Sequence, residues 1–216
     1  AESESKVRSN LYAAKLVVSG PLWKGRLSFG TEEMFTNRRN DFTQSGFSAD
    51  AFNHIRQSIY AGFLQYYLNI GRMNYGAGLR YEYQKTDYYE KDVLQAEQSP
   101  SYRDWIPFAS IGYSKDNLNL AFSYRLNKYS PIYSMLQSSI DYDSKYEYKS
   151  GDPHLKPQKQ HSFNLSGNYK WLSFMAYYNY VLDMYMTWYK PYDEVNHPSV
   201  LLQTMASEPH SYYCGA

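Results

Sequence analysis

The chain has 216 residues, a formal charge of +1, 26 tyrosines and a single cysteine, with a mean hydropathy of −0.67. The near-neutral charge gives nucleic acid no electrostatic footprint, one cysteine excludes a disulfide framework, and no apolar run approaches the ~18 residues a membrane helix requires. Low hydropathy does not exclude a membrane β-barrel, whose strands show apolar side chains to lipid only at alternate positions. The tyrosines suit the aromatic girdles of such a barrel and equally the strands of a soluble sheet.

Two-residue alternation recurs and helical periodicity is scarce, so the chain reads as all-β, an antiparallel up-and-down meander of about eight or nine strands. The first strand covers residues 7–18, with Tyr12, Ala14, Leu16 and Val18 on one face, and Ser19-Gly20-Pro21 is expected to turn it. The second covers residues 22–31, with Trp23, Gly25, Leu27 and Phe29 sharing a face. Residues 32–53, including Asn37-Arg38-Arg39-Asn40-Asp41, read as loop because apolar positions disappear. The third strand spans 54–68, followed by a tight turn at Asn69-Ile70-Gly71-Arg72 in which Gly71 supplies positive φ. The fourth spans 73–84, where Tyr75, Ala77, Leu79, Tyr81 and Tyr83 alternate with Gly76, Gly78, Arg80 and Glu82. A charged loop is expected over 85–103. The fifth and sixth strands, 105–114 and 118–127, flank a turn at Lys115-Asp116-Asn117. The connection over 127–161 is the longest. A seventh strand (162–170) then turns at once into an eighth that carries Phe174, Ala176, Tyr178 and Tyr180 on one face, and a ninth begins near Val200.

Short turns thus follow the odd strands and long connections the even ones. In a meander this collects all short turns at one end, the asymmetry of outer-membrane barrels. Strands of about ten residues suit a tilted span of the hydrocarbon layer. The faces opposite the aromatic ones, such as Asn119, Ala121, Ser123 and Arg125, or Ser162, Asn164, Ser166 and Asn168, are small and polar and suit a wet lumen. Reversed, the same alternation makes a soluble sheet with a tyrosine-rich core, and no single strand distinguishes the two.

Chemistry-bearing clusters are few. The histidines are His54, His154, His161, His197 and His210; His154 and His161 share the long connection with Asp152, but their spacing matches no ligand motif, so no metal is expected. Asp141, Tyr142, Asp143, Tyr146, Glu147 and Tyr148 form an acidic, aromatic run in the same connection and are the candidate ligand-facing residues. There is no G-x-S-x-G element and no phosphate-cradling glycine loop, and Cys214 lies beside the chain end, so neither catalysis nor a cofactor is expected.

The element Gly151-Asp152-Pro153-His154-Leu155-Lys156-Pro157 resembles the G-N-P-x-L-x-P signature of TonB-dependent outer-membrane receptors. Tyr75-Gly76-Ala77-Gly78-Leu79-Arg80-Tyr81-Glu82 resembles the G-L-R-x-E strand of the same barrels, and Phe122 to Pro131 a later strand ending in R-I-x-R-P, with Asp152 and the Lys128-Tyr129-Ser130-Pro131 junction as departures. In order along residues 54–205, these elements are similar to the outer-membrane β-barrel family that forms the barrel part of such receptors. The resemblance makes Gly78, Leu79, Arg80, Glu82, Gly151, Asp152, Pro153, Leu155 and Pro157 structural motif positions. It implies one β-barrel region over residues 1–216, in the bacterial outer membrane and in contact with its lipid. It also implies uptake of an unidentified nutrient, with an inner-membrane energy-coupling protein and a surface lipoprotein as partners of the whole receptor. Whole receptors of this kind carry a plug and 22 strands, so the chain is expected to be part of a barrel. The alternatives are a small stand-alone barrel with an adhesive or structural role and a soluble all-β binding module.

Overall fold

The computed structural model describes residues 3–44, 51–136, 140–193, 195 and 197–216. Nine long strands carry the architecture: β1 (Ser3–Leu22), β2 (Gly25–Gln44), β3 (Ala51–Ile70), β4 (Met73–Glu90), β6 (Ser101–Lys115), β7 (Leu118–Tyr129), β10 (Gln158–Tyr169), β11 (Leu172–Asp193) and β12 (His197–Gly215). Three short strands, β5 (Val93–Leu94), β8 (Asp141–Ser144) and β9 (Glu147–Lys149), lie in the long connections. All belong to one sheet, ordered β1-β2-β3-β4-β6-β7-β10-β11-β12-β9-β8, with β5 paired to β4. Pairing is antiparallel throughout except where β9 runs parallel to β12. This is the expected meander. Among the described residues β1 and β8 are its two ends and do not pair with each other.

The strands run much further than the apolar alternation does. β2 continues through Asn37-Arg38-Arg39-Asn40-Asp41 to Gln44, in unbroken register with β1 and β3, so most of the expected loop over 32–53 is strand. Likewise β4 reaches Glu90 and β6 starts at Ser101, which shortens the loop expected over 85–103. The ladder needs only backbone N–H and C=O groups, so a polar segment pairs as well as an apolar one and merely lacks the alternation. Ser19-Gly20-Pro21 lies within β1, and the reversal falls at Trp23 and Lys24. The other three short turns stand where expected. Trp23, Gly71, Asp116 and Lys170 each take a positive φ, between 49° and 58°.

The register separates two faces. One carries Tyr12, Leu16, Val18, Tyr60, Leu64, Tyr75, Leu79, Ile111, Phe122 and Leu165, all exposed. The other carries the buried polar residues Thr36, Asn53, Glu82, Gln84, Thr86, Asp104, Ser162 and Asn179. Crowding in a single-layer sheet marks the polar face as the concave, inner one. Along β4 the outer apolar run goes from Met73 to Tyr83, about 34 Å of strand, and at a barrel tilt of ~40° it stands about 26 Å tall, the height of the lipid-facing band of a membrane barrel. Above it, the upper parts of β1 to β4 project as polar wall. A small conventional core forms where the β8–β9 hairpin docks on β12: Tyr148, Val200 and Leu202, with Ile140 and Tyr192 against them.

Candidate functional site

Alternation sets the inner face of β4. Gly78, Arg80 and Glu82 point inward while Leu79 and Tyr81 point outward, which accounts for the glycine, arginine and glutamate spacing of that motif. The Phe108 ring, directly across the ladder on β6, lies over Gly78 where a side chain would otherwise stand. Beyond Phe108 the β6–β7 ladder stops, its last pair being Phe108 with Arg125. The next residue down β6 is Pro107, which has no N–H to donate and commonly marks the end of a ladder. β6 stays paired to β4 and β7 to β10, so a gap opens in the wall between them.

Charge fills that gap. Lys128 donates to Glu82 Oε1 at 2.8 Å, and its Nζ lies 2.9 Å from Asp104 Oδ2 as an ion-pair contact rather than an aligned hydrogen bond. The Lys128 and Asp104 side chains are each only 4% exposed. Lys159, the cross-strand partner of Lys128, binds the other Asp104 oxygen. The chain of charges continues along the inner face. Arg80 donates to Glu82 Oε2 through Nη2 at 3.0 Å and to Glu32 Oε2 through Nη1 at 3.2 Å. Lys15 meets Glu32 at 3.3 Å. Six strands are thereby joined by alternating cations and carboxylates. Glu32, Arg80, Glu82 and Lys128 border a cavity of about 520 Å³ that Arg125, Asn127 and Tyr67 also line. Arg125 has no carboxylate partner among the described residues, and its guanidinium lies 5.8 Å from the Phe108 ring centre.

The long connection after β7 roofs the inner face. Ser130 donates to Gln84 Oε1 at 3.1 Å, and the Tyr133 ring sits under the Arg38 guanidinium at 5.0 Å. Tyr185 on β11 ties the two ends of the connection. Its hydroxyl accepts from the Gln158 N–H at 3.0 Å and lies within 2.9 Å of the carbonyls of both Tyr129 and Lys156. The Gly-Asp-Pro element is part of this roof. The Asp152 carboxylate accepts from the His154 N–H at 2.9 Å, and the Gly151 carbonyl accepts from Thr204 at 3.4 Å. Pro153, Leu155 and Pro157 pack towards Ile55, Thr86 and Tyr102, with Leu155 and Pro157 buried.

The acidic, aromatic run lies elsewhere, on the β8–β9 hairpin beside β12. Tyr148 is buried there, its ring edge-on to Tyr192 at 4.7 Å. Asp143 is held by Lys149 at 2.8 Å, and Glu147 is half-buried. Tyr142 and Tyr146 are the exposed aromatics. Asp141 is half-buried with Oδ1 lacking a hydrogen-bond partner, and this burial raises its pKa. His161 does not join His154 in the connection: it belongs to β10 and stacks between Tyr124 and Tyr180 on the outer face. Among the described residues no three His, Cys, Asp or Glu side chains converge as a metal site. Lys15, Glu32, Asp104, Lys128 and Lys159 had no sequence signal, because each meets its partner across the sheet from a distant part of the chain.

A family model described as "Outer membrane protein beta-barrel family" matches residues 1–206. No curated protein matches the sequence. Among solved structures, "Copper transporter OprC" superposes with a TM-score of 0.67 over 97% of this chain and 34% of its own, at 14% identity. The ferric yersiniabactin uptake receptor FyuA from Yersinia pestis superposes with a TM-score of 0.57 over 85% of this chain and 30% of its own, also at 14% identity. At that identity the likeness is one of fold, and the chain spans about a third of the length of these structures.

Proposed function

We propose that this chain, which belongs to the outer membrane protein beta-barrel family, forms part of the wall of a TonB-dependent-receptor-like transporter that takes up a scarce nutrient across the bacterial outer membrane. The observation that carries the reading is the pairing of an exposed apolar band of bilayer height with an inner face of ion-paired charge around a 520 Å³ cavity. Lipid faces the first; water and solute face the second. The family, and the copper transport and ferric yersiniabactin uptake named for the fold neighbours, favour carriage of a solute over catalysis.

In this reading outer-membrane lipid contacts the apolar band, and the inner face lines the permeation route. An inner-membrane energy-coupling protein drives the complete receptor, with a surface lipoprotein as a further partner. The exposed Tyr142 and Tyr146 beside Asp143 present the hairpin's outward surface to arriving solute. The test is uptake by intact cells that carry the complete protein. Accumulation of its solute should stop when the inner-membrane proton gradient is collapsed. Uptake that continues undiminished would mark a passive pore and sink the energy-coupled reading.

A further inference from the structure

On three neighbouring strands a cation stands within two outward positions of the top of the apolar run on the outer face. On β3 the polar residues above Tyr60 are Ser58 and Arg56; on β4 the residue above Tyr83 is Lys85; on β6 the residue above Trp105 is Arg103. The register makes these three positions one diagonal stripe along the upper border of the apolar band. Each cation is set against a tyrosine or a carboxylate. The Arg56 guanidinium lies 5.5 Å from the Tyr89 ring centre, and that of Arg103 lies 5.8 Å from Tyr83. Lys85 pairs with Asp87 at 3.1 Å. Asp87 is also directly across from Arg56, yet among the described residues neither arginine has a carboxylate within ion-pair distance. Above them on the same face Arg39 and His54 are cross-strand partners, and there Arg39 is already paired with Asp41 and Asp92.

A cation at the border of a lipid-facing band sits at headgroup depth, and an arginine stacked on a tyrosine keeps its N–H fork free for a planar oxyanion. The long connections lie at this same end of the sheet, the extracellular end in the outer-membrane reading on which this inference rests. We propose that Arg56, Lys85 and Arg103 bind the phosphate groups of outer-leaflet lipid. Two guanidinium groups that keep their hydrogen-bonding forks, with Lys85 between them, provide multidentate contact that a neutral headgroup does not use. The lipid phosphate in turn offsets the two guanidinium groups that have no carboxylate among the described residues, while Lys85 keeps Asp87.

The complete protein that carries this chain, purified in detergent, is incubated with bisphosphoryl lipid A or its dephosphorylated form, and retained lipid is measured by native mass spectrometry. The phosphorylated lipid should be retained at least tenfold over the dephosphorylated one. R56Q/R103Q should reduce that retention about tenfold, and R56K/R103K should restore part of it. Inorganic phosphate should not displace the lipid at equal concentration. Equal retention of both lipids, or an unchanged R56Q/R103Q variant with a normal melting profile, overturns the proposal. Full displacement by inorganic phosphate assigns the stripe to free anions instead. Retention of neither lipid overturns this proposal and the membrane reading together, whereas loss of proton-driven uptake with normal lipid retention strikes only the transport reading.

Discussion

Two residues show how backbone conformation and burial set stability. Gly71 reverses β3 into β4 at φ 58°, and a Cβ added there would meet nothing within 4 Å. Gly71→Ala therefore isolates backbone strain and should cost about 1 kcal/mol, read as an earlier midpoint in denaturant unfolding from detergent. Asp141 shows the opposite case, a charge with too few partners. Its pKa is raised by burial, so the docked hairpin holds the proton more tightly than the unfolded chain does. The penalty of the ionised form is fully present above the raised pKa and absent below the ordinary carboxylate value. Amide protection at β8 and β9 should accordingly rise as pH falls through that window. In Asp141→Asn, protection should already be high at neutral pH and should lose this pH dependence; an Asn variant with the wild-type profile would refute the argument.

At the scale of elements, the decisive feature is the gap where β6 and β7 part after Phe108 and Arg125. Strand pairing is replaced there by Lys128 and Lys159 on Asp104, with Glu82 completing the set. Removing Asp104 leaves Lys128 with Glu82 alone and Lys159 without its carboxylate, so the cost should lie below the about 3–5 kcal/mol of a fully orphaned buried charge. Asp104→Ala should show that loss as a lower melting temperature in detergent, whereas a D104A/K128M double variant should recover part of it. If D104A melts like the wild type, the charges are incidental to the wall. The same scale explains why the described parts of the connection, 130–136 and 140–157, do not stand apart from the sheet. Its ends are tied by Tyr185, and buried Leu155 and Pro157 fold it inward. The motif noticed in the sequence thus belongs to the roof of the inner face.

For the whole molecule, the polarity is inverted relative to a soluble sheet: apolar side chains outside, paired charges within. An apolar outer face of this extent is unstable in water and settled in lipid. Leu79 lies in the middle of the band, 43% exposed. Leu79→Arg should therefore destabilise the inserted barrel by about 2–4 kcal/mol, measured by folding into lipid vesicles, while leaving solubility in denaturant unchanged. A neutral effect there would contradict the lipid-facing assignment. The strands that rise above the band add a polar wall that carries the cations of the proposed lipid-phosphate stripe.

The sequence by itself determined the class, the meander and the sidedness. Alternation in residues such as 73–84 records which side chains share a face, the sorting of connections by length pointed the apolar face to lipid, and short turns are local events fixed by a few residues such as Gly71. It also carried the elements whose resemblance pointed to the family that the family model over residues 1–206 shows. It left the ends of β2, β4 and β6 unread, because backbone pairing imposes no pattern on polar side chains. Only the tertiary structure decided that Tyr148 is buried, that His161 stacks on the outer face, and that Asp104, Lys128 and Lys159 meet. Each of these depends on which strands lie side by side, and that neighbourhood is set by the register of the whole sheet rather than by any stretch of chain.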